Sequence, residues 1–397
     1  MLIVSLLKSK IAVSFFFFAG GSALALWAVH IPLIERTVGI GYVTLGALFM
    51  FSGLGGFVAM QIYGWIVDHI GTKTATRIGG LVVGLSLLGP AFAQDLWSLA
   101  LAIFFLGFGI AGVDVGMNAA GLQIDRANDR PIFTFFHLFW SVGGLFGAAL
   151  GFVTISAGFD QSQTLSITGV ALSVTGVIAA GWLLPNEVVA NREDKAKNQA
   201  ATKANRRVLP LVILAGLMAA AGAIIEGVAQ DWSALYLIDI QGVSIAVAAW
   251  GLAAFNLGMI TGRIFIDRIV EVRGRSFIIR WGSLVGGIAI AAQAVSPNFE
   301  VSIVLWYFVG LGISGVVPQI FASAGEIGEA THSGRNLARV VGITYIGALA
   351  GPSAIGLLTA IYPLNVAIGW GTVLAIFILL ANPRLEKLTK SPNYLAR

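Results

Sequence analysis

The sequence predicts an all-α integral membrane protein: twelve transmembrane helices in two pseudo-symmetric six-helix halves (6+6), with N- and C-termini cytoplasmic. Three observations predict it: a composition unfit for water, twelve apolar stretches of spanning length, and basic residues confined to one set of connections. The 397 residues are 57% hydrophobic and only 11% charged, and their mean hydropathy is +0.88. A soluble domain carries about a quarter charged residues. With less than half of that, the chain could not cover a water-facing surface, which excludes a cytosolic enzyme, a disordered chain and a nucleic-acid binder despite the +5 net charge. The absence of cysteine excludes a disulfide scaffold.

A helix needs about 20 apolar residues to cross the hydrocarbon. Such stretches lie at 11–34, 43–66, 75–93, 97–121, 132–156 and 164–184, then at 208–238, 245–266, 277–296, 300–324, 336–360 and 363–382. Lys8, Lys10 and Ala23-Leu24-Ala25 imitate a cleavable signal peptide. The apolar run continues to Leu33, however, and cleavage would leave an odd number of spans, so it is read as span 1. With the N-terminus inside, Lys and Arg of the even-numbered connections and both tails fall on the cytoplasmic side. They include Lys73, Arg77, Arg126, Arg130, Arg263, Arg268, Arg273, Arg275, Arg280 and the linker residues Arg192, Lys195, Lys197, Lys203, Arg206 and Arg207. In all, 23 of the 24 basic residues lie there and only Arg36 does not. That bias orients a polytopic protein.

The one long polar gap, 185–207, separates 1–184 from 208–383, and 384–397 forms a tail. The halves repeat. Gly107-Phe-Gly109-Ile-Ala-Gly112-Val in span 4 matches Gly310-Leu-Gly312-Ile-Ser-Gly315-Val in span 10. Gly143, Gly147 and Gly151 of span 5 parallel Gly347, Gly351 and Gly356 of span 11, and Asp68 after span 2 parallels Asp267 after span 8. Two joined six-helix halves are the pattern of a transporter whose site lies between the repeats.

The loop Gly64-Trp-Ile-Val-Asp68-His-Ile-Gly71-Thr-Lys73 resembles the loop between spans 2 and 3 of the major facilitator superfamily. A weaker copy runs Gly262-Arg263-Ile-Phe-Ile-Asp267-Arg268 to Gly274-Arg275. Trp27-Ala-Val-His30-Ile-Pro32, Asp114-Val-Gly-Met-Asn118 and Glu226-Gly227…Asp231-Trp232-Ser-Ala-Leu-Tyr236 are similar to a poorly characterised bacterial branch related to sugar permeases. The resemblance covers the whole chain. It implies alternating access by a monomer in the lipid bilayer of the bacterial inner membrane, with spans 1 and 7 facing each other across the cavity. It further implies that Asp68, Lys73, Arg77, Asp267, Arg268 and Arg275 hold the inner face shut. The chain departs from the branch at His30, where Arg is usual. Span 4 also lacks the Arg of many drug exporters, and Gly-Pro is absent from span 5 but present at Gly351-Pro352.

Ionisable groups within spans are expensive and mark function by default. Asp114 lies roughly 10 Å from the inner end of span 4, on one face with Gly107, Ala111, Asn118 and Gly121. It reads as a proton-coupling carboxylate, or else as a structural hydrogen-bonded Asp. Glu226 and Gln230 form a second stripe on span 7, Glu226 roughly 27 Å up. His30 stands at nearly the same height on span 1, so His30 and Glu226 are expected to pair across the outer gate, His30 supplying a titratable group of physiological range. The alternative leaves each satisfied locally. Trp27, His137 and Trp140 are aromatic pocket candidates, and Gln319 follows Pro318, which should free backbone carbonyls. The four histidines lack metal-ligand spacing, no phosphate loop exists, and no cofactor is expected.

The expected function is proton-coupled uptake of a small polar or sugar-like solute. Efflux of a small amphiphile is the runner-up, and an integral membrane enzyme or a sensor is the reading from another class.

Overall fold

The computed structural model describes residues 2–128, 132–186, 208–325, 327 and 333–389. Arg130, His332, Lys390, Arg397 and the linker cations from Arg192 to Arg207 lie outside the described residues. Among the described residues every regular element is helical. Twelve helical spans are long and apolar enough to cross a membrane: Leu6–Val38, Tyr42–His69, Thr72–Phe92, Leu96–Arg126, Phe135–Ser156, Gln161–Trp182, Leu209–Asp239, Ile245–Arg273, Arg275–Gln293, Phe299–Ala324, Arg339–Leu358 and Leu364–Lys387.

Several span ends have a local cause. Asp95 caps span 4, its carboxylate accepting from Ser98 N at 3.0 Å and Trp97 N at 2.9 Å. Asp160 caps span 6 through Gln163 N at 2.8 Å. These backbone N–H groups hold both exposed carboxyls below the usual carboxylate range. Gly39, Gly71, Gly158, Gly242 and Gly274 take positive φ in the turns, which costs no Cβ clash.

Two spans expected to be continuous are broken. Span 3 divides into Thr72–Leu85 and Leu88–Phe92, and span 10 into Phe299–Ile313 and Val316–Ala324. A proline ring collides with the carbonyl four residues back. Pro90 therefore disrupts the chain at Ser86 and Pro318 at Ser314, each proline then lying in the first turn of the next segment. The disturbance expected at Gln319 thus sits one turn earlier, at Ser314–Gly315.

The chain forms two compact units, Met1–Ala190 with Ser233–Asn256 and Asn191–Trp232 with Leu257–Arg397. Within each, helices close on glycine. A Cβ on Gly55 would overlap Phe104 O, and one on Gly258 would overlap Tyr307 O. Both members of this second contact lie 203 residues after those of the first, so the duplication reaches individual backbone approaches. Spans 1 and 5 meet likewise, Gly147 over Ser22 O, as spans 7 and 11 meet with Gly351 over Ile224. Such small-residue seams let membrane helices approach closely without a hydrophobic driving force.

Candidate functional site

Spans 7 and 8 are consecutive helices joined through Gly242. Glu226 lies 13 residues before the end of span 7 and Arg263 lies 18 residues after the start of span 8. At 1.5 Å per residue that is roughly 20 and 27 Å from the connecting turn. Arg263 reaches back along its helix, and Nη2 stands 3.9 Å from Glu226 Oε1. The carboxylate side chain is 34% exposed and the guanidinium 14%, so one flank of the pair is open.

At 3.9 Å the contact is an ion pair longer than a good hydrogen bond. Either charge alone at this depth would cost several kcal/mol, and together they can stay ionised. Such a pair can take a proton on the carboxylate, or lend an acceptor and a donor to a polar ligand. Arg263 stands apart from the loop cations with which the sequence groups it. Span 8 continues as helix to Arg273 rather than ending near 266, because Asp267, Arg268, Glu271 and Arg273 extend it with polar residues that a hydropathy window ignores.

Span 7 stays polar one turn further on. Gln230 and Asp231 are half-buried, and the adjoining Trp232 donates its Nε1–H to Pro352 O at 3.1 Å. Gly227 leaves the room that the Pro352 ring fills. Gln319, in the second segment of span 10, is half-buried.

The first unit holds a separate polar set. Asn118 Nδ2 donates to Asp114 O at 2.8 Å and to Asp114 Oδ1 at 2.9 Å, so the carboxylate is oriented from its own helix one turn on. Asp114 and Asn118 are half-buried. One turn before Asp114, Ala111 joins an apolar cluster with Ala59, Tyr63, Ile66, Val67 and Ala75.

His30 is fully buried. Its Nδ1 lies 2.8 Å from Leu26 O; a carbonyl only accepts, so Nδ1 carries the proton and Nε2 is the acceptor. Nε2 is buried with no hydrogen-bond partner among the described residues. Gly151 lets span 5 close on Val29 beside the ring: a Cβ there would come within 2.7 Å of Val29 Cγ1 and 3.7 Å of His30 Cε1. His30 has Leu26 O as a partner on its own helix, and Glu226 has Arg263 on the next span. Trp27 is buried. Trp140 covers Gly20, and His137 stands edge-on to Phe17 at 4.8 Å, so both aromatics serve the seam between spans 1 and 5.

Of the expected gating residues, Asp68, Lys73 and Arg275 are half-buried, and Arg77, Asp267 and Arg268 exposed. Lys73 Nζ donates to Leu183 O at 3.4 Å. The N-terminus of span 3 has glycine at its cap, and Asn186, 112 residues away, supplies the missing acceptor: its Oδ1 takes Thr74 N–H at 3.1 Å. Gln123 Nε2 holds the same strand of chain through Pro185 O at 3.0 Å. A cap from so far along the chain leaves no local signature. Arg263 had one: it is the one cation inside the apolar window 245–266, and the acid within span 7 called for a cation.

The sequence profile of the Major Facilitator Superfamily matches residues 11–244. An uncharacterized MFS-type transporter of Yersinia pestis is 28% identical over 381 residues, covering 94% of each chain. The membrane protein MosC of Rhizobium meliloti is 27% identical over 375 residues, 92% of this chain and 86% of MosC. Among solved structures, the nucleoside transporter NupG has a TM-score of 0.69 at 16% identity, covering 98% of this chain and 99% of that one. A bacterial homolog of the human lysosomal transporter Spinster, inward-facing and unoccupied, has a TM-score of 0.73 at 15% identity, covering 98% and 99%.

Proposed function

The chain belongs to the major facilitator superfamily of membrane transporters, and from that premise we propose that it takes up a small polar or sugar-like solute in symport with protons. It is a multi-pass protein of the inner-membrane type, with a transporter's and not an enzyme's fold. The observation that carries the reading is the Glu226–Arg263 pair within spans 7 and 8.

A hydroxyl-rich neutral solute can give its O–H to the carboxylate and accept from the guanidinium, matching both groups without leaving a net charge behind. A proton delivered to Glu226 Oε1 neutralises the acid and loosens its hold on Arg263, which couples proton occupancy to solute binding. Asp114, with Asn118 fixing its carboxylate, is the second proton-bearing candidate, and Nε2 of buried His30, without a hydrogen-bond partner among the described residues, is an acceptor for cargo or proton. On this reading both termini are cytoplasmic, with 22 of the 24 basic residues on that side, Arg36 lying opposite and Arg263 within span 8. Asp68, Lys73, Arg77, Asp267, Arg268 and Arg275 control the cytoplasmic opening, and the working unit is a monomer.

The test begins with a solute panel of hexoses, pentoses, polyols, nucleosides and small amphiphiles, ranked by the shift in melting temperature of the purified protein. Hits are then added to proteoliposomes carrying a pH-sensitive dye. A sugar-like hit should draw protons in with the solute, and Asp114→Asn or Glu226→Gln should abolish that movement while keeping the fold. Hits that are transported without any proton movement would overturn the coupling; stabilisation by amphiphiles alone would overturn the substrate class.

A further inference from the structure

Spans 9 and 12 lie side by side and antiparallel within the second unit. Gly287 faces Ala375, where a Cβ would come within 2.7 Å of the alanine Cβ, and Thr372 Oγ1 donates to Gly287 O at 3.4 Å. Toward the side of the chain termini the two helices are pinned by side chains. Asn382 Nδ2 donates to Ser276 O at 3.1 Å and to Ser276 Oγ at 2.9 Å, and Ser276 Oγ donates to Glu386 Oε2 at 2.5 Å. The pins bring two basic stretches, distant in sequence, to one corner.

The corner is built differently from its counterpart in the first unit. There, at the ends of spans 3 and 6, Lys73 donates to Leu183 O, which leaves Arg77 as the exposed cation. Here Arg268, Arg273, Arg280, Arg384 and Lys387 are exposed. With half-buried Arg275 these cations outnumber the nearby acids Asp267, Glu271 and Glu386, the last accepting from Ser276, which leaves the corner net positive. Arg273 lies over the Phe277 ring, 5.5 Å from its centroid, and Phe277 is 6.0 Å from Trp281. One to three turns deeper, each helix exposes an apolar stripe. On span 9 it is Trp281 and Ile288; on span 12 it is Val373, Ile376 and Leu380.

Positive charge on the terminus side is expected of any polytopic protein. What topology alone does not require is a pinned corner whose exposed guanidiniums stand directly above a lipid-facing apolar seam. We propose that this corner is a binding site for an anionic phospholipid. Its phosphate lies among Arg273, Arg280, Arg384 and Lys387, and its acyl chains run along Trp281, Ile288 and Leu380. A zwitterionic lipid would bring its own cation into the same ring of cations and bind less well. The basic end supplies selectivity, and the apolar seam orients the occupant as a lipid.

Native mass spectrometry of the full-length protein tests this, with phosphatidylglycerol and phosphatidylcholine of identical chains added in equal amounts in a neutral detergent. The wild type should retain phosphatidylglycerol preferentially. Each cation near an anionic lipid surface contributes roughly a fivefold factor, so Arg273→Gln/Arg384→Gln should lose about 25-fold of that preference. Lys8→Gln/Arg126→Gln, which removes two exposed charges from the first unit, should lose less than about twofold. Arg273→Lys/Arg384→Lys should keep most of the preference and guards against misfolding of the Gln pair. Equal retention of the two lipids, or equal losses in the two Gln pairs, would overturn the site.

Discussion

Removing one member of the Glu226–Arg263 pair should cost far more than removing the second after the first. At the observed 3.9 Å, two unit charges attract by about 4 kcal/mol with an effective dielectric constant of about 20. The carboxylate side chain is 34% exposed, and the solvent it meets halves that figure to about 2 kcal/mol. Arg263→Gln strands the carboxylate, and Glu226→Gln strands the guanidinium. Each should destabilise by about 2–3 kcal/mol, while the double variant should cost about as much as either alone. The assay is reversible unfolding in mixed micelles at neutral pH for the wild type, both singles and the double. Single effects that add within about 0.5 kcal/mol would refute an energetic pair and return Arg263 to the role of a loop cation.

Three further outcomes follow from local geometry. Gly55→Ala and Gly258→Ala drive a methyl into a facing carbonyl and should each lower stability by about 1–3 kcal/mol, whereas Gly64→Ala, with nothing within 4 Å among the described residues, should hold or raise the melting temperature. Asp160→Ala removes the cap of span 6 and should cost about 1 kcal/mol at neutral pH; because the folded carboxyl is held below its ordinary value of 3.8, the wild type's advantage should be complete above that value and vanish as the pH falls through the lower folded one. Tyr42 donates to Asp239, joining the ends of spans 2 and 7, so Tyr42→Phe and Asp239→Asn should be non-additive in thermal unfolding, by about 1 kcal/mol.

The twelve spans were legible because hydrophobic length and the one-sided placement of Lys and Arg are both properties of the bilayer, which acts on the sequence directly. The repeat was legible too, since Gly55/Phe104 and Gly258/Tyr307 keep one offset. The contact between Glu226 and Arg263 was not. Matching heights on spans 1 and 7 drew attention to His30, while the polar end of span 8 hid how deep Arg263 sits and how far its long side chain reaches. The breaks in spans 3 and 10 were not read from the sequence, because the clash falls four residues before Pro90 and Pro318 and hydropathy runs on through both. Asn186 capping span 3 was invisible, because its partner is set by tertiary structure alone.

The central claim is that this chain alternates between openings on opposite faces, and its lack of cysteine makes the direct measurement accessible. By the order of the spans, spin labels on Thr37→Cys and Tyr362→Cys fall at connections expected on one side of the membrane, and labels on His69→Cys and Val272→Cys at connections expected on the other. Double electron–electron resonance in lipid nanodiscs, with pH varied and a stabilising solute added, should give two distances at each end whose populations change in opposite directions. A single distance at both ends under every condition, or two ends that open and close together, would contradict alternating access.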